Sequence, residues 1–78
     1  MNNTEQLLIA TLARLLKTPA ESLSLTVPID EQGVDSFLGL RFARGVHKAT
    51  GVELDLTTLT DRPTLQELAA LIDARLRP

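Results

Sequence analysis

Seventy-eight residues, 44% of them hydrophobic, are enough for one folded domain and too few for two. Eight basic residues against ten acidic leave a net charge of −2, which gives no overall electrostatic footprint for nucleic acid. With no cysteine in the chain, disulfide staples, thiolate zinc sites and a cysteine nucleophile are excluded together.

The apolar run Leu7-Leu8-Ile9-Ala10 is too short for a membrane span and lacks the basic flank of a secretion signal, so a cytoplasmic placement is expected. It belongs instead to a first helix over about Thr4–Lys17, in which Leu8, Leu12, Leu15 and Leu16 recur at helical spacing with Leu7 beside them. Asn3 or Thr4 supplies the cap, Lys17 suits the negative end, and Pro19 stops the helix. From Thr18 to Asp35 there is no sustained helical period. Leu23-Ser24-Leu25-Thr26-Val27 alternates like a strand, yet no comparable strand is available to pair with it. The expectation is a long loop that packs Leu23, Leu25, Val27 and Ile29 onto the helices, and a loop of that length in a small domain tends to be functional. Glu31-Gln32-Gly33 is a turn leading into the next helix.

The second helix is predicted from Ser36 to about Ala49, capped by Asp35 or Ser36 and ended by Gly51. Leu38, Phe42, Val46 and Ala49 form its apolar stripe, widened by Phe37 and Leu40. Gly39 and Gly45 inside it each cost about 1 kcal/mol relative to Ala and mark close helix packing. Val52–Leu56 is extended, Leu56–Thr60 makes one short helical turn, and Asp61-Arg62-Pro63 breaks the chain. Thr64 and Glu67 form a capping box for a last helix running to about Arg75, with Leu65, Leu68, Ala69, Ile72 and Leu76 facing inward. The fold expected for residues 1–78 is therefore a single all-α domain: a small bundle of three main helices plus one short helix, with a long first loop and an aliphatic core that includes Phe37 and Phe42.

Ser36, after Gly33-Val34-Asp35, stands at a helix start. Two readings apply to it. It is a plain N-cap, or its exposed hydroxyl carries a phosphodiester, which the free N–H groups and positive dipole of a helix N-terminus favour. A hydrolase nucleophile is excluded, because Gly-x-Ser-x-Gly is missing and the single histidine, His47, lies eleven residues along the same helix, about 16 Å away. No ligand cluster for a metal is present in the sequence. Arg41, Arg44 and Lys48 fall at helical spacing, which describes a solvated face, a phosphate-binding face of a small nucleic-acid-binding domain, or a docking face. The acidic balance and the want of a second basic element count against nucleic acid.

Three segments at their proper spacing resemble the acyl carrier protein family: Gly33-Val34-Asp35-Ser36-Phe37, Gly51-Val52-Glu53-Leu54 and Asp61-Arg62-Pro63-Thr64-Leu65. The resemblance covers residues 5 to 76 and implies a serine esterified by 4'-phosphopantetheine, whose thiol holds an acyl group as a thioester. The matching residue is Ser36, with Asp35 in a supporting role. It further implies a non-enzymatic, monomeric carrier served by a phosphopantetheinyl transferase and by acyltransferase, ketosynthase and other synthase enzymes, with no nucleic-acid or membrane partner. Phe37 departs from the family's usual Leu but stays large and apolar. The second helix departs further: it carries Arg41, Arg44, His47 and Lys48 and no acid after Asp35, whereas carriers of bacterial fatty acid synthesis present an acidic helix. That pattern resembles carriers of modular polyketide synthases, and it makes Phe37, Leu38, Arg41, Arg44 and Lys48 the expected partner face. Gly33-Val34 replaces the Gly-Gly pair usual in peptidyl carriers, which favours the acyl side. Phe42 occupies the place of a Trp found in some polyketide carriers that recruit β-branching enzymes, and a core role for it is the simpler expectation.

Overall fold

The computed structural model describes residues 1–77. Helix α1 spans Asn3–Leu16, α2 Ser36–Thr50, α3 Leu56–Thr60 and α4 Leu65–Leu76. Among the described residues there is no strand, only an isolated bridge between Pro28 and Thr64. The all-α expectation therefore holds in its number of helices and in their order.

Helix α1 starts one residue earlier than its apolar pattern suggests, because Asn2 caps it, not Asn3 or Thr4. The Asn2 side chain accepts the Glu5 N–H at 2.7 Å and the Glu5 carboxylate accepts the Asn2 N–H at 2.8 Å, a reciprocal capping box. Thr4 is thereby free to donate its hydroxyl to Asp73, which ties the start of α1 to α4. The helix ends at Leu16, with Lys17 left-handed at φ 55° and Pro19 following.

Helix α1 is the element on which both α2 and α4 lean. Leu8, Ile9 and Leu12 meet Phe42 and Val46 of α2 and Leu65, Leu68, Ala69 and Ile72 of α4 in one aliphatic core around a single phenylalanine. The inner face of α2 is made by Gly39, Phe42, Ala43 and Val46. Phe37 and Leu40, expected to widen that face, are instead 66% and 47% exposed. At 100° per residue they point roughly 140° and 160° away from Phe42, so helical geometry puts them on the outside. Ala49 and Leu76, also expected inside, are exposed in the last turns of their helices. Gly45 marks a close approach as expected: a Cβ there would stand 3.1 Å from Cγ2 of Thr11 on α1.

The long first loop is more ordered than its lack of periodicity implies. It contains two 3-10 turns, Ala20–Ser22 and Ile29–Gln32, the second ended by Gly33 at φ 101°. Ile29 is buried, Leu23 and Leu25 pack partly against the core, and Val27 is only half-buried. Its backbone does find a partner, in the segment that leads into α4. Ile29 donates its N–H to the Pro63 carbonyl at 2.9 Å, and Gln66 donates to Leu25 at 3.0 Å. Gln32 stitches the rest together. Its amide oxygen accepts the Ser24 N–H at 2.7 Å, and its amide nitrogen donates to the Ser24 and Val27 carbonyls, each at 2.9 Å. Replacing Gln32 by Ala strands three partly buried backbone groups, so Gln32→Ala is expected to lower the stability by about 2 kcal/mol. Urea unfolding measures this. A loss below about 0.5 kcal/mol would show that the apolar side chains alone hold the loop.

Candidate functional site

The second turn of the loop delivers the chain into α2 through Gly33, whose left-handed backbone strains any residue with a Cβ. Val34 is buried, and Asp35 then takes the cap position, its carboxylate accepting the Leu38 N–H at 2.8 Å. Of the two possible caps, the structure thus uses Asp35. Ser36 becomes the first residue of α2 and is exposed, its hydroxyl not required to close the helix end. Asp35 and Ser36 also line a cavity of about 230 Å³ together with Ile29, Val34, Leu59 and Arg62. Such a place suits a phosphodiester. The hydroxyl is open to a modifying enzyme, and the helix N-terminus beside it has unpaired N–H groups and positive potential.

His47 stands in the last turn of α2, at the far end from Ser36, so the structure does not bring the two together. Among the described residues no group of acidic and histidine side chains is arranged to hold a metal, and no helix is long and apolar enough to cross a membrane.

The expected partner face is split by the geometry. Phe37, Arg41, Arg44 and Lys48 are all exposed on the outer side of α2, whereas Leu38 is half-buried and packs partly against the core. The Arg41 guanidinium lies 5.8 Å from the centre of the Phe37 ring, within the range of a cation–π contact. Apolarity alone groups Leu40 with the core. Its 47% exposure adds it to the outer face instead.

In the sequence Arg62 is only part of a break. In the structure it donates from Nε to Asp30 at 3.0 Å and pairs with Glu31 as well. The hydrogen bond to Asp30, then the charges of Asp30 and Glu31, push its pKa further above the ordinary arginine value. At the other end of the segment, Asp55 caps α3 by accepting the Thr58 N–H at 2.7 Å. That bond above all holds the Asp55 carboxyl below its usual range. The cap therefore supports α3 fully above the pKa that Asp55 has in the unfolded chain, and it is lost as the pH falls through the lower folded value.

Comparison with known proteins gives the chain a family. Residues 6–72 match the family described as phosphopantetheine attachment site. A highly reducing polyketide synthase of Pyricularia oryzae is 33% identical over 70 residues, which cover 90% of this chain and 2% of that protein. A phenolphthiocerol/phthiocerol polyketide synthase of Mycobacterium tuberculosis is 31% identical over 74 residues, which cover 95% of this chain and 4% of that protein. The chain thus spans only a few hundredths of the length of these curated relatives. No solved structure matches. Carrier domains of this family hold a covalently attached 4'-phosphopantetheine and are generally non-catalytic. With its helical bundle and the match over most of its length, this chain belongs to the phosphopantetheine attachment family, as an acyl carrier domain related to those of polyketide synthases.

Proposed function

We propose that this domain carries acyl or polyketide intermediates on an arm fixed to Ser36 and presents them to the enzymes of a synthase. The observation that carries the reading is the division of labour at the start of α2. Asp35 closes the helix end, and Ser36, one residue on, offers an exposed hydroxyl. Attachment from coenzyme A would form a bond from the Ser36 Oγ to the phosphorus of 4'-phosphopantetheine as the pyrophosphate P–O bond breaks, releasing adenosine 3',5'-bisphosphate and the serine proton. The bound group would supply a thiol able to hold acyl cargo as a thioester. The residues present fit it: the phosphate would face N–H groups of the first turn of α2, and the exposed helix start would leave the remainder of the arm room to swing. Asp35 orients the serine by fixing the first turn and gives a transferase a carboxylate to recognise. Incubation with coenzyme A and a phosphopantetheinyl transferase, followed by peptide mapping, tests the assignment. One adduct on the peptide that holds Ser36 is expected, and an unmodified protein would refute it.

The outer face of α2 gives the partners a stated chemistry. Arg41, Arg44 and Lys48 are exposed, and among the described residues the ion pairs involve Arg62 and not these three. Phe37 and Leu40 add apolar surface beside them. Partners such as an acyltransferase or a ketosynthase then present acidic or neutral surfaces, a pattern that fits polyketide assembly better than fatty acid synthesis. Charge on such a face acts mostly through encounter rate and rejection of wrong partners. Arg41→Glu with Arg44→Glu is expected to slow acyl transfer from cognate enzymes by about five- to thirty-fold at low salt and to flatten its salt dependence, with folding unchanged. Transfer kinetics at two salt concentrations measure this. Wild-type rates in the double variant would reduce the basic face to a solvated surface.

A further inference from the structure

Three carboxylates stand about the start of α2. Asp30 and Asp35 line the same cavity as Ser36, and Glu31 follows Asp30 on the turn that leads toward the helix. A phosphodiester on Ser36 would bring a further negative charge among these acids, and like charges oppose one another. Against them, the cavity wall holds one basic side chain among the described residues, that of Arg62.

Arg62 is held for this position from both ends of its side chain. Its backbone is left-handed at φ 53°, one of two such non-glycine residues among the described residues, and such a conformation persists only where its surroundings enforce it. The Ile29 N–H donates to the Pro63 carbonyl at 2.9 Å and pins the chain immediately after it. At the other end, Nε donates to Asp30 at 3.0 Å and Nη2 pairs with Glu31. Nη1 is left without a hydrogen-bond partner among the described residues, and the side chain is 59% exposed. A guanidinium carries five donors in a planar fork, so it can keep both carboxylates and still face another anion. A plain tie between two loops would be worth little at such exposure. Its place on the wall of the Ser36 cavity is the more telling feature.

We propose that Arg62 is the countercharge for the phosphodiester on Ser36: steadied by Asp30 and Glu31, it offers its remaining donors to the root of the arm. Arg62 is then a positioning residue, and it draws that root toward the cavity side of Ser36. The assignment rests on the carrier reading. Arg41, the first basic residue along α2, does not share the task, because its guanidinium lies 5.8 Å from the centre of the Phe37 ring on the outer side of the helix.

The reach of Arg62 is tested first on the full, unmodified chain, with a carboxyl placed where the phosphate would be. In Ser36→Asp, an NMR titration follows the new carboxyl. A cation beside it favours its charged form, so adding Arg62→Gln should raise its pKa by about 0.3–0.7 of a pH unit at low salt. Arg62→Lys should return most of that difference, and about 1 M salt should erase it. Arg41→Gln is the control and should leave the value where it was. On the modified chain, attachment should move the Arg62 Nε–H resonance. Phosphorus NMR should then show the phosphodiester signal displaced by Arg62→Gln at low salt and not at about 1 M. An unmoved carboxyl in Arg62→Gln, an equal rise with Arg41→Gln, or a phosphodiester signal indifferent to Arg62 would overturn the proposal. A Ser36 that takes no arm, beside the expected titration, would overturn the carrier reading and leave Arg62 the countercharge for an anion at this position.

Discussion

Ser36→Ala is expected to keep its mass unchanged after incubation with coenzyme A and a transferase, while the wild type gains one arm. The size of this effect is all or none, since the variant has no oxygen at the position where the phosphoester forms. The structure makes the comparison clean. Because Asp35 accepts the Leu38 N–H, removing the serine hydroxyl leaves the helix cap intact. The side chain is exposed, so stability should change by no more than about 0.5 kcal/mol. Loss of the adduct would then report chemistry and not unfolding. The chain has two other serines, Ser22 and Ser24, both in the long loop, and they serve as internal controls. Ser24 is already engaged by Gln32 through its backbone, and its hydroxyl accepts the Thr26 N–H. An adduct on either of them in the Ser36→Ala protein would sink the assignment.

Phe42→Ala carries the largest expected effect on the fold. Phe42 is fully buried and is the bulkiest of the fully buried side chains. Truncating such a residue costs about 3–5 kcal/mol through lost transfer energy and the cavity left behind. A domain of this length holds about 4–12 kcal/mol in total, so the variant loses from about a quarter of its stability to all of it. Chemical denaturation should show a midpoint moved far toward zero, and modification at Ser36 should fall with the folded fraction, because the start of α2 is formed only when α2 is packed. Phe42→Leu keeps most of the volume and should cost no more than about 1.5 kcal/mol. If Phe42→Ala lost less than that, the neighbouring Leu8, Leu12 and Val46 would have to collapse into the space. The same result would reopen a surface role for this aromatic, six residues after Ser36.

Much of this was legible in the sequence, for reasons that are local. Caps and breakers act within a few residues, so Thr64 with Glu67, Gly51 and Pro19 placed helix ends close to where they lie. The same locality exposed Ser36, because Gly33 and Asp35 announce a turn and a helix start. What failed depended on distance through space. Phe37 and Leu40 look like core to a count of apolar residues. Helical geometry puts them opposite Phe42, and the packing of α2 on α1 makes the Phe42 side the inside. The order of the long loop rests on Gln32, eight residues from Ser24 in sequence, and on Pro63 and Gln66, beyond the reach of any periodicity. Arg62 reads as punctuation in the chain. Its pairing with Asp30 spans 32 residues and has no sequence signal.

The tight spot between Gly45 and Thr11 fixes the bearing of the whole second helix. A rod held by oily side chains alone is free to creep about its long axis, since one greasy contact substitutes readily for another. Here the backbone of α2 comes so near α1 that a Cβ at position 45 would stand 3.1 Å from Cγ2 of Thr11, tighter than ordinary contact, and the bare side of a glycine fits without shifting it. That works as a keyway: it favours one angular setting of the rod. The compass heading of Ser36 at one end, and of Arg41, Arg44 and Lys48 along the outside, is thereby indexed to α1 by a contact that none of them touches. Transplanting the outer face of α2 onto another bundle would therefore have to carry the notch at position 45 and its counterpart at position 11 along with it. Otherwise the charges would arrive facing another way.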